Sequence, residues 1–337
     1  MQQVIATFLS DLEGLHLHEL QISTKSRKAL RRVLDAARYY IEIYNDALDS
    51  MLQRCALSPG EMTVVDYGGG HGLFSILAKR VGVGRVVYVD NNSDAFRTVG
   101  VLSQTLGSGP DVMLQGDAKK LAEWCMQNNV RPDALIGIDV IEQIYVLDDF
   151  FGALHECSHE MKMLFTTSAN PYNERIVRRL HRAMHKVEMG TSHKRGYWHL
   201  RYDHIKKIHP DMSEREAAQW ANDTRGLTYA DLERAIDAQS PNLLLDPHNT
   251  CDPATGRWAT RLLPVDDYRQ LLAPYGFGLV VLPGRYNEYR RGPKAWAARH
   301  YNHRIDKAPT EEPSGFFQRR RMKRALKVAP FIYLIVS

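Results

Sequence analysis

A glycine-rich loop in this sequence is spaced so that its backbone could hold a ligand. A short apolar run at residues 62–66 leads into Gly68, Gly69, Gly70 and Gly72, and a helical pattern begins at once. Glycines let the backbone approach a ligand closely, and the start of a helix offers free N–H groups. Dinucleotide-binding folds use similar glycines, and some glycine turns are purely structural, so the loop alone leaves the ligand open.

Three carboxylates accompany the loop, each at or just after the end of a predicted strand. Asp66 ends the strand before the glycines, Asp90 ends the next strand, and Asp117 follows the third. The carboxyl ends of parallel strands form the edge where open α/β sheets bind ligands. There, Asp90 can accept hydrogen bonds from two ribose hydroxyls, and Asp117 can accept one from an exocyclic amine. The acids therefore favour a ligand-binding loop over a purely structural one.

These residues resemble the class I S-adenosylmethionine-dependent methyltransferases. The motif is Asp66-x-Gly68-x-Gly70-x-Gly72 with Asp90 and Gly116-Asp117-Ala118. Residues 138–143, IDVIEQ, are similar to the element after the fourth strand in the ubiquinone-biosynthesis-like branch, which usually reads D-V-x-E-H. Gln143 replaces that histidine, so no base role is carried over to this position. The resemblance covers residues 60–168 and 264–337 and does not extend to 171–263.

The resemblance implies S-adenosyl-L-methionine as cofactor and S-adenosyl-L-homocysteine as product. The glycines would border the methionine and ribose portions, while Asp90 would hold the ribose and Asp117 and Ala118 the adenine. Asp139 would line the floor near the methyl group, and Asp66 would contact the amino group directly or through water. A nicotinamide enzyme would share the glycines and the ribose acid but not the other positions. The predicted cofactor-binding residues are Asp66, Gly68, Gly69, Gly70, His71, Gly72, Asp90, Asn91, Asp117, Ala118, Asp139 and Val140.

Methyl transfer to a hydroxyl usually benefits from a base, and histidine is the usual base at neutral pH. Six of the 14 histidines lie between residues 181 and 209. The candidate catalytic residues are His193, His199 and His204 as bases, together with Glu142. The alternative is that these histidines lie in a hydrated loop and make ordinary hydrogen bonds.

The same segment mixes cations with aromatic side chains, which suits a polar or anionic substrate. The candidate substrate-binding residues are Arg195, Tyr197, Trp198, Arg201, Arg257 and Trp258. His181 and His185 stand four residues apart, a spacing able to bind metal on a helix. Because no acid or cysteine partner is evident in the sequence, no metal site is predicted.

Hydrophobic periodicity predicts an α/β fold. The fold class is a doubly wound, mostly parallel seven-stranded sheet of the class I methyltransferase, Rossmann-like type, with an N-terminal helix at 26–55 and a largely helical insertion after strand 5. The final strand is expected to run antiparallel. Four segments are predicted: an N-terminal helical segment 1–58, a cofactor-binding core 59–170, a substrate-recognition insertion 171–263 and a C-terminal completion of the sheet 264–337. No convincing strand is found between 171 and 263.

Composition excludes several classes of protein. With 337 residues, 44% hydrophobic and 25% charged, the chain is typical of globular proteins and not of disordered, collagen-like or disulfide-scaffold chains. Its four cysteines are far apart, which favours a reducing compartment. No stretch reaches the roughly 18 apolar residues of a membrane span, and the N-terminus lacks a signal-peptide pattern. We therefore expect a cytoplasmic protein.

The C-terminal region carries most of the excess positive charge. Residues 285–337 contain 13 Lys and Arg against four acids, a net charge of +9. Such a region could meet nucleic acid, anionic lipid or an acidic substrate, or it could form an ordinary solvated helix face. Peripheral membrane contact through the run at 319–327 is one expectation, and the oligomeric state stays open.

These observations predict an S-adenosylmethionine-dependent O-methyltransferase with a histidine base, acting on a polar or anionic glycan-like metabolite such as a glycan precursor. The alternative is an N- or O-methyltransferase of a small aromatic or antibiotic-like metabolite. An RNA methyltransferase is disfavoured because no RNA-binding module or base-flipping signature is present. A non-enzymatic binding module is disfavoured because the acids expected to face the cofactor are all retained.

Overall fold

The computed structural model describes residues 1–240 and 246–337. Strands and helices alternate from the first strand to the fifth because each strand is apolar on both faces and needs a covering layer on each. The strands are β1 Thr63–Tyr67, β2 Arg85–Asp90, β3 Val112–Gln115, β4 Ala134–Ile138, β5 Lys162–Thr167, β6 Gly190–Thr191, β7 Lys194–Arg195, β8 Leu279–Pro283 and β9 Ile332–Val336.

The helices cover both faces of the sheet and build the segment after β5. They are α1 Gln2–Glu13, α2 Thr24–Leu34, α3 Ala37–Cys55, α4 Leu73–Val81, α5 Ser93–Leu106, α6 Ala118–Asn128, α7 Leu147–Cys157, α8 Glu174–Met189, α9 Tyr197–Ile208, α10 Glu214–Asp223, α11 Tyr229–Asp237, α12 Val265–Leu272, α13 Pro293–Ile305 and α14 Phe316–Leu326. None of the helices in the described ranges combines the length and apolarity needed to cross a membrane.

Seven strands form the main sheet in the order β3-β2-β1-β4-β5-β9-β8. The first five pair in parallel, whereas β9 runs antiparallel to both β5 and β8. The predicted seven-stranded, mostly parallel sheet with an antiparallel last strand is therefore confirmed. Strand order reverses between β1 and β4, and an open sheet has its ligand crevice at such a point.

Adjacent residues of a strand face opposite sides of the sheet, so each strand contributes to two cores. In β1, Val65 packs with Phe151 of α7 and Phe165 of β5 on one side. Its neighbour Val64 packs with Leu48 of α3 on the other side. A continuous apolar run in the sequence thus corresponds to a strand buried on both faces.

Two local expectations are corrected by the structure. The helix predicted at 26–55 is two helices, α2 and α3, because the backbone of Ala36 leaves the helical region at φ −136° and ψ 31°. The segment after β5 contains the short hairpin β6–β7, where no strand was expected. Gly190 permits this hairpin because its φ is +79°, and a Cβ there would lie 2.3 Å from the Gly196 nitrogen.

Candidate functional site

A cavity of about 910 Å³, here called the main cavity, lies at the carboxyl ends of β1 to β4. Nine of the predicted cofactor-binding residues line it: Gly68, Gly70, His71, Asp90, Asn91, Asp117, Ala118, Asp139 and Val140. Asp66, Gly69 and Gly72 are not on its wall. The fold therefore places four separate stretches of the sequence around one space.

The glycine loop has a backbone shape that other residues would disturb. Gly68 and Gly72 have φ of +66° and +74°, and a Cβ on Gly72 would lie 2.1 Å from Cγ2 of Val99. The loop is also tied to β2, since the Gly70 nitrogen donates to Oδ2 of Asp90 at 3.0 Å and the Tyr88 hydroxyl donates to the Gly70 oxygen at 2.8 Å. These two bonds hold the loop against β2 at the cavity wall.

The two acids expected to hold ribose and adenine still have acceptor capacity. Oδ1 of Asp90 accepts a hydrogen bond from the backbone nitrogen of Asn92 at 2.8 Å, and Oδ2 accepts the hydrogen bond from Gly70. Asp117 caps the start of α6, because its Oδ1 accepts a hydrogen bond from the backbone nitrogen of Lys120 at 3.1 Å. Each carboxylate oxygen can accept two hydrogen bonds, so both acids can also receive donors from a ligand.

Asp66 lies beneath the loop, off the cavity wall. It is 2% exposed. Its Oδ2 accepts two hydrogen bonds from Ser75, one from the hydroxyl at 2.6 Å and one from the backbone nitrogen at 3.2 Å. Burial raises the pKa of Asp66 to about 7, and the Asp90 charge adds a small increase. A Cβ on Gly69 would lie 2.6 Å from the same Oδ2, so any other residue at this position would clash with Asp66. In this structure Asp66 joins β1 to α4.

Asp139 and Glu142 form a pair of carboxyl groups after β4. Asp139 lines the cavity with a left-handed backbone, φ +52°, and its nitrogen donates to both oxygens of Thr166, each at 3.1 Å. Glu142 is 2% exposed, and within the described residues its Oε2 has no hydrogen-bond partner. Partial desolvation raises the pKa of Asp139, which is nevertheless exposed on the cavity wall, whereas burial and the Asp139 charge raise the pKa of Glu142. The charge of Asp139 opposes ionisation of its neighbour, so Glu142 retains its proton to higher pH than Asp139.

The three candidate histidine bases lie away from the cavity wall. His193 is exposed at the turn of the β6–β7 hairpin. His204 places Nε2 at 2.7 Å from Oε1 of Glu233 and stacks on Tyr229. His199 lies in α9 with a buried Nδ1 that has no partner among the described residues. The cavity-lining histidine is instead His71, whose pKa burial lowers.

Of the candidate substrate residues, Arg257 lines the main cavity and the others do not. Trp258 is buried behind it and donates to the Tyr145 oxygen at 3.1 Å. Tyr197 is the first residue of α9 and is half-buried. Burial raises its pKa, the charge of Asp252 raises it further and that of Arg257 lowers it.

Arg195, Trp198 and Arg201 each have a partner within the protein. Arg201 is fully buried and pairs with Glu188, so it is a structural residue and not a substrate contact. Arg195 pairs with Asp203 at 2.6 Å. Trp198 donates to the Asn222 side chain at 2.8 Å. These contacts hold the inserted helices together.

Sequence reasoning missed two parts of the cavity wall. One is the start of α2, which contributes Lys25, Ser26 and Ala29. The other is the stretch after β4, which contributes Ile144, Tyr145, Val146, Asp149 and Phe150. Ser23 could have signalled the first part, because a serine before a basic helical run is typical of a helix start, and its side chain accepts the Ser26 nitrogen here.

A second cavity of about 290 Å³ lies beyond β5, and its wall carries four cations and one acid, Glu174, which pairs with Arg178. Its wall includes Arg175, Arg178, Arg304, Lys327, Tyr172, Tyr286 and Tyr301. Tyr39 of α3 contacts the chain beside this cavity. The Tyr39 hydroxyl donates to the oxygen of Arg285, next to Tyr286, at 2.9 Å. Burial raises the Tyr39 pKa, and the charge of Asp139 raises it further.

The profile of a methyltransferase domain family matches residues 37–232, more than half of the chain. This match agrees with the resemblance seen in the sequence, while the ubiquinone-biosynthesis-like branch stays a prediction. No curated protein is significantly similar to the chain in sequence.

Several solved structures are similar in fold. A candidate methyltransferase from Bacillus halodurans is 12% identical, over 86% of this chain and 97% of that one, with a TM-score of 0.41. A protein from Pyrococcus horikoshii is 22% identical over 42% and 61%, with a TM-score of 0.31. A ribosomal protein L11 methylase from Lactobacillus delbrueckii is 16% identical over 36% of this chain, with a TM-score of 0.28. The chain spans 58% of that methylase and 42% of a methyltransferase from Agrobacterium tumefaciens.

Proposed function

This chain belongs to the methyltransferase domain family, whose cofactor is S-adenosylmethionine, and from that premise we propose that it methylates a hydroxyl of a polar, anionic acceptor. A glycan-like metabolite or glycan precursor is the acceptor class that the residues suit best. The observation that carries the proposal is the main cavity, where the acids and glycines that suit the cofactor face a cationic side chain, Arg257.

The residues present fit the cofactor. Gly68 lets the backbone of the loop pack directly on Val140 at the cavity wall, because a Cβ there would lie 2.5 Å from Val140 Cγ2. Asp90 can accept from ribose hydroxyls, and Asp117 can accept from the adenine amine. A volume of about 910 Å³ lies within the usual range of small-molecule sites, roughly 300–1,000 Å³. When bound, the cofactor supplies a methyl group that its positively charged sulfur already makes electrophilic.

The protein's part is to align the acceptor and remove its proton. Holding two reactants in line can contribute roughly 7–11 kcal/mol. Asp139 and His71 line the cavity, whereas His193, His199 and His204 do not. Asp139 is the better base candidate of the two, because its pKa is raised while burial lowers the pKa of His71. Its raised pKa makes it a stronger base than an ordinary carboxylate. The Asp139 carboxylate would take the hydroxyl proton of the acceptor, whose oxygen would then receive the methyl group that the bound cofactor supplies.

Cations near Asp139 support an anionic acceptor. Arg257 lines the cavity, and Arg290 lies close enough to Tyr40 to act on its pKa together with Asp139. The second cavity adds Arg175, Arg304 and Lys327, which have no ion-pair partner among the described residues. A small apolar aromatic acceptor would leave these cations unused.

Helix α14 supports peripheral contact with an anionic membrane surface. Phe316 and Phe317 at its start are 73% and 75% exposed, and Arg319, Arg320 and Arg321 follow them on the surface. Exposed aromatics beside cations suit the interface of an anionic bilayer. A membrane-bound glycan precursor would then be presented to the enzyme at the surface where it resides.

Calorimetric titration with S-adenosylmethionine, S-adenosylhomocysteine and NAD tests the cofactor. We expect binding of the first two and not of NAD, and binding of NAD alone would overturn the proposal. Acceptors are then compared by S-adenosylhomocysteine production from uronic-acid or phosphorylated sugars, neutral sugars, small aromatics and RNA. Turnover with the anionic sugars, with a KM that rises with salt, supports the acceptor class. Turnover confined to aromatics or RNA overturns it.

A further inference from the structure

Three metal-ligating side chains meet on the face of the insertion, outside the two cavities. They are His181 on α8 and Asp246 and His248, which lie 65 and 67 residues later. One ligand atom of each lies within 4.8 Å of the other two. Nε2 of His181 is 3.2 Å from Oδ2 of Asp246, and the two imidazole rings stack with centroids 3.8 Å apart.

The fold supplies the acid that the sequence did not reveal. His181 and His185 are one turn apart on α8, so they lie on the same helix face. The chain returns to that face at residue 246, which brings a carboxylate and a second imidazole. His185 is exposed on this face. Three potential ligands, His181, Asp246 and His248, therefore surround one position, with a further imidazole one helical turn away.

The distances suit a transition-metal ion. Zinc bonds to histidine and carboxylate ligands are about 2.0–2.2 Å, which separates tetrahedral ligand atoms by about 3.3 Å. The distance of 3.2 Å between His181 and Asp246 already matches one such edge. The imidazole rings of His181 and His248 are nearly parallel, at 20° to each other. To bind one ion, both side chains must therefore rotate until a ring nitrogen of each points at it.

We propose that His181, Asp246 and His248 bind a divalent transition-metal ion, best Zn²⁺, with His185 or water in the fourth position. Imidazole and carboxylate donors suit zinc, and one carboxylate with neutral histidines leaves the bound site at about +1. Arg225, a cation close to His248, does not bond to the proposed ligand atoms. Its guanidinium donates to the backbone oxygens of His248 and Asn249, at 2.6 and 2.9 Å.

The position of the site gives the ion a structural role. Asn249 is fixed to Leu262 by two hydrogen bonds of 2.8 and 2.9 Å, and the loop between them carries Thr255 and Arg257 to the main cavity. Metal binding would fasten the start of this loop to α8. It does not take part in methyl transfer, so the inference stands apart from the proposed reaction.

The test uses the full chain without a histidine tag, stripped of metal with a chelator. Zn²⁺ is titrated by calorimetry, and Co²⁺ by its visible absorption, which is strong only in tetrahedral sites. We expect one high-affinity Zn²⁺ per chain, a tetrahedral Co²⁺ spectrum and a higher Tm with metal. Asp246→Asn should weaken Zn²⁺ binding by about tenfold or more, since a neutral amide is a poor zinc ligand.

His159→Ala is the matched control. His155 and His159 also stack, with centroids 4.0 Å apart, but in the described ranges they join no third ligand. This variant should bind Zn²⁺ like the wild type. Circular dichroism of the metal-free proteins checks folding, and His181→Gln provides a second site variant. Wild-type protein that binds no Zn²⁺, or site variants that bind it as well as the control, would overturn the proposal.

Discussion

The side chain of Gln143 accepts a hydrogen bond from Nε of Arg257 at 2.8 Å, and Nη2 of the same arginine bonds the same oxygen. Gln143 occupies the position of the histidine in the D-V-x-E-H motif that residues 138–143 resemble. Its own amide donates to the Asp139 oxygen at 2.7 Å. Gln143 therefore links the backbone of Asp139, the base candidate, to the guanidinium of Arg257 in the insertion.

This link leads to a first prediction for Arg257→Ala. A guanidinium has five N–H donors, and Gln143 engages two, so three can reach an anionic acceptor. Loss of such charged hydrogen bonds should lower kcat/KM for the acceptor by about tenfold to a hundredfold and leave cofactor affinity unchanged. Steady-state kinetics and calorimetry measure the two effects. Arg131→Ala, exposed before β4 at the opposite edge of the sheet, is the control. Equal losses in both variants would remove Arg257 from the acceptor site.

A second prediction concerns the ribose acid. Asp90→Ala should weaken binding of S-adenosylmethionine and S-adenosylhomocysteine by about tenfold or more, because hydrogen bonds to a charged group contribute about 1.5–3 kcal/mol. The variant also loses the acceptor that ties the Gly70 nitrogen to β2. Calorimetry provides the affinities, and Asp211→Ala on the exposed surface is the control. Unchanged affinity would show that Asp90 does not hold the ribose.

The parallel core was predictable because its signals are local. Apolar runs such as residues 62–66, glycines and strand-end acids follow one another within the first five strands, and the parallel topology brings the strand ends to one edge. The insertion was not predictable in this way. Arg201 was expected at the substrate, but its role depends on Glu188, a partner that only the tertiary fold reveals. The acid at residue 246 is similarly distant from His181 in sequence.

A third prediction concerns stability and Asp66. Its folded-state pKa of about 7 is raised above the unfolded value of about 3.9, so the folded state binds the proton more tightly. Its contribution to stability is fully present below pH 4 and is lost as pH rises through 7, by up to about 1.4 kcal/mol per pH unit. Asp66→Asn should remove this loss, while the amide oxygen can still accept from Ser75. Urea denaturation from pH 4 to 8 measures it, with Asp211→Asn as control. Identical pH slopes in wild type and D66N would contradict the expectation.

A fourth prediction concerns the membrane surface. Replacing Phe316 and Phe317 by alanine should lower binding to vesicles of anionic lipid by about tenfold or more, because each buried aromatic side chain contributes about 1.5–3 kcal/mol. Cosedimentation measures the bound fraction. Met126→Ala is the control, since Met126 is 78% exposed on α6. Equal binding of both variants, or no binding of wild type to anionic vesicles, would exclude α14 as a membrane contact.

A fifth prediction separates the two kinds of base. Asp139→Asn should lower kcat by about 10²–10⁴-fold, because it removes the group that takes the hydroxyl proton. In the wild type kcat should rise with pH as Asp139 loses its proton, and this rise should be absent from the residual activity of D139N. Cofactor affinity, measured by calorimetry, should fall far less than kcat. His199→Ala is the comparison, because His199 is not on the cavity wall and should be dispensable. If H199A loses turnover while D139N retains it, the base is the histidine predicted from the sequence, and the inserted helix α9 must approach the cavity during the reaction.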